Sequence, residues 1–128
     1  MKTSKIAFIG AGNMAKAIIG GLLAEGFNRS QILAAGPRQE TLDRVQQEFA
    51  IETTTDNNAA AAWADVVVLA VKPQMLKGVT LALRDSLAHQ PLIISLAAGI
   101  TTESIGAWLG GDLPIVRCMP NTPSQLRA

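Results

Sequence analysis

The stretch Ile6-Ala7-Phe8-Ile9-Gly10-Ala11-Gly12-Asn13-Met14-Ala15 decides the fold. Its first four residues form an unbroken apolar run closed by glycine, which marks a strand covered on both faces, where no polar alternation is expected. From Asn13 the rhythm changes. Met14/Ala15, Ile18/Ile19 and Leu22/Leu23 recur every four residues on one helix face, and Gly26 stands as the stop. Strand, tight turn and helix therefore follow one another directly.

The same alternation continues along the chain. Strands are expected at Ile32 to Ala35, near Ile51 to Thr53, at Asp65 to Val71, at Leu92 to Ser95 and at Ile115 to Met119. Helices are expected at Thr41 to Phe49, through Ala59 to Ala62 with Asp56 or Asn57 as cap, at Gln74 to Ser86 with Pro73 in the first turn, and at Thr102 to Leu109. Six strands alternating with helices imply right-handed crossovers and a Rossmann-type doubly wound parallel sheet of the α/β class, helices on both faces. Residues 1–120 read as this dinucleotide-binding domain. Pro120-Asn121-Thr122-Pro123 then opens a new segment, so residues 121–128 are expected to lead into further chain.

Composition narrows the function. The 128 residues are 48% hydrophobic and 16% charged, enough to bury a core and too apolar for intrinsic disorder. Eleven Lys and Arg against ten Asp and Glu leave a net charge of +1, so nucleic acid is not the expected partner. The single Cys118 has no disulfide partner within the chain, and with one histidine, His89, there is no ligand set for a metal. A reducing cytoplasm is expected, with no membrane partner, because no run of about 18 apolar residues occurs. Tyrosine is absent, which excludes a tyrosine acid of the kind used by many short-chain dehydrogenases.

Gly10-Ala11-Gly12-Asn13-Met14-Ala15 fits G-x-G-x-x-[G/A], and it falls between a strand and a helix, where that pattern has physical meaning. Gly10 allows the tight turn, Gly12 lets backbone approach a pyrophosphate, and Ala15 keeps helix close to strand. The helix amides then receive the phosphates. NAD-preferring sites carry an acid about 20 residues beyond the motif, bonded to the ribose 2′-hydroxyl. Here Gly36 stands near that place, and Arg38 follows as either a bidentate partner for a 2′-phosphate or a solvated charge. NADP is the predicted cofactor, with NADPH preferred over NADH.

Ligands in such sheets lie across the carboxyl ends of the strands. Ala70-Val71-Lys72-Pro73 and Ala97-Ala98-Gly99 follow the fourth and fifth strands, and their small residues would let a dinucleotide lie against backbone. Lys72 either holds the ribose or an anionic substrate, or snorkels at a strand end. His89 falls at the opposite end of the fifth strand, Ser95 has no histidine nearby in sequence, and Cys118 reads as a buried inert thiol. No catalytic acid, base or nucleophile can be named, leaving the cofactor to carry the chemistry.

Taken together, Phe8 to Ala15, Ala70-Val71-Lys72-Pro73-Gln74, Ala97-Ala98-Gly99-Ile100 and Arg117-Cys118-Met119-Pro120-Asn121-Thr122-Pro123 resemble pyrroline-5-carboxylate reductases. The likeness runs over essentially the whole chain in the right order, and the second and last segments are the most specific. It implies NAD(P)H-dependent reduction of 1-pyrroline-5-carboxylate to L-proline, the last step of proline biosynthesis. Carried over by position, it implies Ile9, Gly10, Ala11, Gly12, Asn13 and Met14 at the pyrophosphate, Gly36 and Arg38 beside the adenosine ribose, and Asn57, with Asn58 next to it, near the same ribose. It further implies Ala70, Val71, Lys72, Pro73, Ala97, Ala98 and Gly99 along the ribose and nicotinamide, and Met119, Asn121 and Thr122 at the nicotinamide and substrate edge. In that family a helical second domain follows the Asn-Thr-Pro turn, forms the homo-oligomer and supplies much of the substrate pocket. The main catalytic groups are then expected there, and these 128 residues alone are expected to turn over little or nothing. Two other readings remain: the cofactor domain of a β-hydroxyacid or prephenate-type dehydrogenase, against which the Arg117 to Pro123 segment speaks, and a non-catalytic NADP-binding module.

Overall fold

Along the first strand, β1 (Ile6–Ile9), all four residues are buried, and alternate ones enter different cores. Ile6 and Phe8 face one helical layer while Ala7 and Ile9 face the other, as the period of two requires of a strand covered on both sides. The computed structural model describes residues 4–97, 99–110 and 113–117. In chain order β1 is followed by α1 (Asn13–Ala24), β2 (Ile32–Ala35), α2 (Gln39–Phe49), β3 (Glu52–Thr54), α3 (Asn57–Trp63), β4 (Val66–Leu69), α4 (Pro73–Leu83), β5 (Leu92–Ser95), α5 (Thr102–Leu109) and β6 (Ile115–Arg117).

The six strands form one parallel sheet in the order β3-β2-β1-β4-β5-β6. This is the doubly wound order, with its switch point between β1 and β4, where a ligand crevice opens at the carboxyl edge. Ala15 and Ile19 of α1 and Leu42 and Val45 of α2 pack on one face. Ala60 and Ala61 of α3, Leu76 and Leu83 of α4, and Ile105 of α5 pack on the other. Alanine is the packing residue of α3, so that helix lies on the sheet with little side-chain volume between.

β2, β5 and α5 occupy the ranges expected from the sequence. The strand expected at Asp65 to Val71 is trimmed to Val66–Leu69. At its start the Asp65 carboxylate accepts the Lys5 amide at 2.9 Å, and at its end Lys72 turns the chain into α4. The helix expected to run to Ser86 leaves α-geometry after Leu83 and closes in a 3-10 turn, Arg84–Ser86. β6 is described as far as Arg117; Cys118 and Met119 lie outside the described residues. Of the two candidate caps for α3, Asp56 does the capping: its Oδ1 accepts the amides of Asn58 at 3.0 Å and Ala59 at 3.1 Å.

Candidate functional site

Each of four strands hands its chain to the next residue through a hydrogen bond across the carboxyl edge. Gly10 N–H donates to Ala35 O at 2.8 Å, Ala70 N–H to Ile9 O at 2.8 Å, Gly36 N–H to Thr54 O at 3.1 Å and Leu96 N–H to Leu69 O at 3.1 Å. Gly10 takes φ +106°, a left-handed conformation suited to glycine. A Cβ built on it would stand 2.8 Å from the Ala70 carbonyl oxygen, so the turn closes against backbone and tolerates no side chain.

Above this edge lies a cleft of about 570 Å³. Of the residues singled out from the sequence, Gly10, Ala11, Gly12, Gly36, Arg38, Asn57, Ala70, Val71 and Lys72 line it. Ile9 is fully buried and reaches the edge only through its carbonyl, already bonded to Ala70. Asn13 and Met14 are exposed on the first turn of α1, Pro73 is exposed at the start of α4, and Ala97 is buried just past β5. Gly99 turns at φ +77°. Ala98, Met119, Asn121 and Thr122 lie outside the described residues.

The cleft fits a dinucleotide on three counts. Gly12 is the N-cap of α1, with no side chain capping the helix and no acid in its first turn, and a Cβ there would project into open space. The first amide to bond back is Lys16, to Gly12 O at 3.0 Å, so the amides of Asn13 to Ala15 have no intrahelical acceptor and can serve phosphate oxygens. Next, among the described residues of the lining Arg38 and Lys72 are the only charged ones, with no carboxylate beside them. Finally, Asn57 Oδ1 is buried without a hydrogen-bond partner among the described residues. A buried acceptor left unpaired costs about 1 to 3 kcal/mol, a cost that a ligand donor would remove.

Sequence reasoning missed Pro37, Thr41, Leu42, Thr55, Met75 and Val79, which also line the cleft. Met75 and Val79 stand four apart on α4, and that spacing was a usable signal of a shared face. Asn58 is turned to another task, accepting a hydrogen bond from Ser86 Oγ at 2.7 Å. His89 sits at the amino edge of the sheet, where its Nε2–H donates to Ala64 O at 2.8 Å. Among the described residues no group of three or more His, Cys, Asp or Glu side chains could hold a metal. Nor is any described helix long and apolar enough to cross a membrane.

A family model described as NADP oxidoreductase, coenzyme F420-dependent, matches residues 5–99. The chain belongs to that family. This NADP oxidoreductase family member is 54% identical over 127 residues to the pyrroline-5-carboxylate reductase of Pseudomonas aeruginosa, covering 99% of this chain and 46% of that protein. The solved pyrroline-5-carboxylate reductase of Coxiella burnetii matches it with a TM-score of 0.90 at 48% identity, over 98% of this chain and 47% of that one. A Plasmodium falciparum pyrroline carboxylate reductase solved with NADP bound matches with a TM-score of 0.80 at 26% identity, over 98% and 45%. The family member spans about half the length of the curated relatives it matches.

Proposed function

We propose that this chain is the cofactor-holding part of a pyrroline-5-carboxylate reductase, binding NADPH in preference to NADH and presenting it for reduction of 1-pyrroline-5-carboxylate to L-proline. The observation that carries the reading is the cleft itself: an uncapped α1 N-terminus, two cations and an unpaired buried acceptor, with no carboxylate in the lining. The names of the relatives supply the substrate.

In this reading the amides at Asn13 and Met14 take the pyrophosphate, Arg38 takes the 2′-phosphate, and Asn57 Oδ1 accepts from the adenosine ribose. Ala70 and Val71 keep the lining at the β4 end apolar, with Ala97 packed beneath it just past β5. Lys72 adds positive charge at the β4 end, where an anionic substrate would approach. The bound dinucleotide supplies a hydride for the C=N bond. The chain holds and orients the donor, and much of the barrier is lowered by that placement. Residues 1–120 form the dinucleotide domain, and 121–128 lead toward a helical domain carrying the rest of the substrate pocket and the subunit contacts. A cytoplasmic setting suits a chain whose one cysteine has no partner within it.

Fluorescence titration of the chain with NADPH and NADH tests the cofactor assignment, and tighter binding of NADPH is expected. Oxidation of NADPH driven by 1-pyrroline-5-carboxylate, followed with the full-length protein, tests the reaction. Turnover of β-hydroxyacids in place of the imine would overturn it.

A further inference from the structure

The start of α3 is held from two sides. Asp56 caps it through its carboxylate, and the Asp56 amide itself donates to Thr54 Oγ1 at 3.1 Å. From the other side Ser86, the last residue of the 3-10 turn after α4, donates its hydroxyl to Asn58 Oδ1 at 2.7 Å across 28 positions of sequence. Among the described residues this is the only hydrogen bond between an α3 side chain and another element. Asn57, with its unpaired buried oxygen, lies between these two ties.

The tie matters because the start of α3, unlike its Trp63 end, has little else to hold it. Seven residues are too few for a helix to persist without tertiary support. Trp63 packs on the core at the far end of α3, but near its start only Ala60 and Ala61 are buried, and they offer little apolar area. An Asn57 side chain carrying an unsatisfied oxygen gains by turning toward water, and the start of α3 must resist that motion to keep the oxygen in the cleft.

We propose that Ser86 is a positioning residue for the dinucleotide site, fixing Asn57 through the hydrogen bond to its neighbour Asn58. The proposal rests on the reading of the cleft as an NADP site. Ser86 is not among the residues lining the cleft, so its influence is indirect.

The test is NADPH titration of the chain in four forms: unaltered, Ser86→Ala, Asn57→Ala and the double variant, with Ser86→Thr as the hydroxyl-retaining control. Ser86→Ala is expected to raise the Kd for NADPH roughly threefold to tenfold, the scale of one lost hydrogen bond. Ser86→Thr should restore the unaltered value. In the Asn57→Ala background Ser86→Ala should change nothing further, because the group it positions is gone. The unfolding midpoint of the ligand-free chain should fall by no more than about 5 °C, the scale of one hydrogen bond, in Ser86→Ala both with and without Asn57. An unchanged Kd in Ser86→Ala, or an equal loss with and without Asn57, overturns the positioning role while leaving the cofactor assignment intact. Absence of saturable NADPH binding by the unaltered chain overturns both.

Discussion

The Cα of Gly10 packs so closely on Ala70 that a methyl group added to it would stand 2.8 Å from the Ala70 carbonyl oxygen and 3.2 Å from Val71 Cγ1. Both the glycine turn and the β4 end depend on this contact. Gly10→Ala combines that overlap with a φ of +106° that L-residues rarely adopt. A loss of about 2 to 4 kcal/mol in unfolding free energy is expected, measured by urea titration. A near-neutral result would show that the turn can reshape without cost.

Arg38→Ala should separate the two dinucleotides. Binding of NADPH is expected to weaken roughly tenfold while NADH is unaffected, since only the former presents a 2′-phosphate to the guanidinium. The advantage of NADPH should also shrink as salt is raised, because Arg38 is exposed and its field is screened. Equal losses for both dinucleotides would place Arg38 elsewhere along the ligand.

Gly36→Asp should move the preference the other way. The backbone at Gly36 is not left-handed, and a Cβ there would meet Leu42 Cδ2 at 3.8 Å, an ordinary contact, so the side chain can be accommodated. A carboxylate at the β2 end would repel a 2′-phosphate and accept from a 2′-hydroxyl. NADPH affinity should fall at least tenfold and NADH affinity should rise. Paired fluorescence titrations would show the crossing, and parallel changes in both affinities would refute it.

Asn57→Ala is expected to weaken NADPH binding without destabilising the ligand-free chain. Removing a buried oxygen with no partner relieves a cost, so the unfolding free energy should hold or rise by up to about 1 kcal/mol. A clear loss of stability would mean that the oxygen is satisfied in solution.

Ala50→Gly addresses stability alone. Ala50 ends α2 in the left-handed region, at φ +56°, where glycine is the usual residue. A gain of about 0.5 to 1 kcal/mol is expected with unchanged NADPH affinity, since Ala50 does not line the cleft. Thermal unfolding with and without NADPH would check both parts.

The fold was legible because each element announces itself locally. Apolar runs without alternation gave β1 and β4, and fourfold apolar spacing gave α1. Boundaries slipped where the end residues are polar or where the apolar residue lies just outside the element. α2 starts at Gln39 rather than Thr41, because Gln39 and Glu40 are polar and add nothing to a hydrophobic rhythm. β3 begins at Glu52 because Ile51, the apolar residue that suggested the strand, is buried just ahead of it. Within the site, Gly10 and Gly12 could be placed from the spacing of the glycine motif, while Arg38 read equally as a cofactor contact or a solvated charge until the cleft placed it in the lining. Met75 and Val79 could not be placed, because which face of α4 borders the cleft depends on how that helix lies on the sheet. Asn57 was favoured with Asn58 as a one-residue alternative, and the structure separates them: Asn57 lines the cleft while Asn58 accepts from Ser86, 28 positions away.

The cross-edge bonds of Gly10, Gly36, Ala70 and Leu96 use main-chain atoms alone. Apart from Gly10, whose turn admits no side chain, these bonds do not depend on which side chains the floor carries, while the proposed cofactor preference rests on Arg38 and on the missing side chain of Gly36. Scaffold and cofactor identity can drift separately. If the chain prefers NADPH as proposed, a single substitution at the end of β2 re-addresses it from one electron-carrier pool to another while the sheet beneath stays as it is.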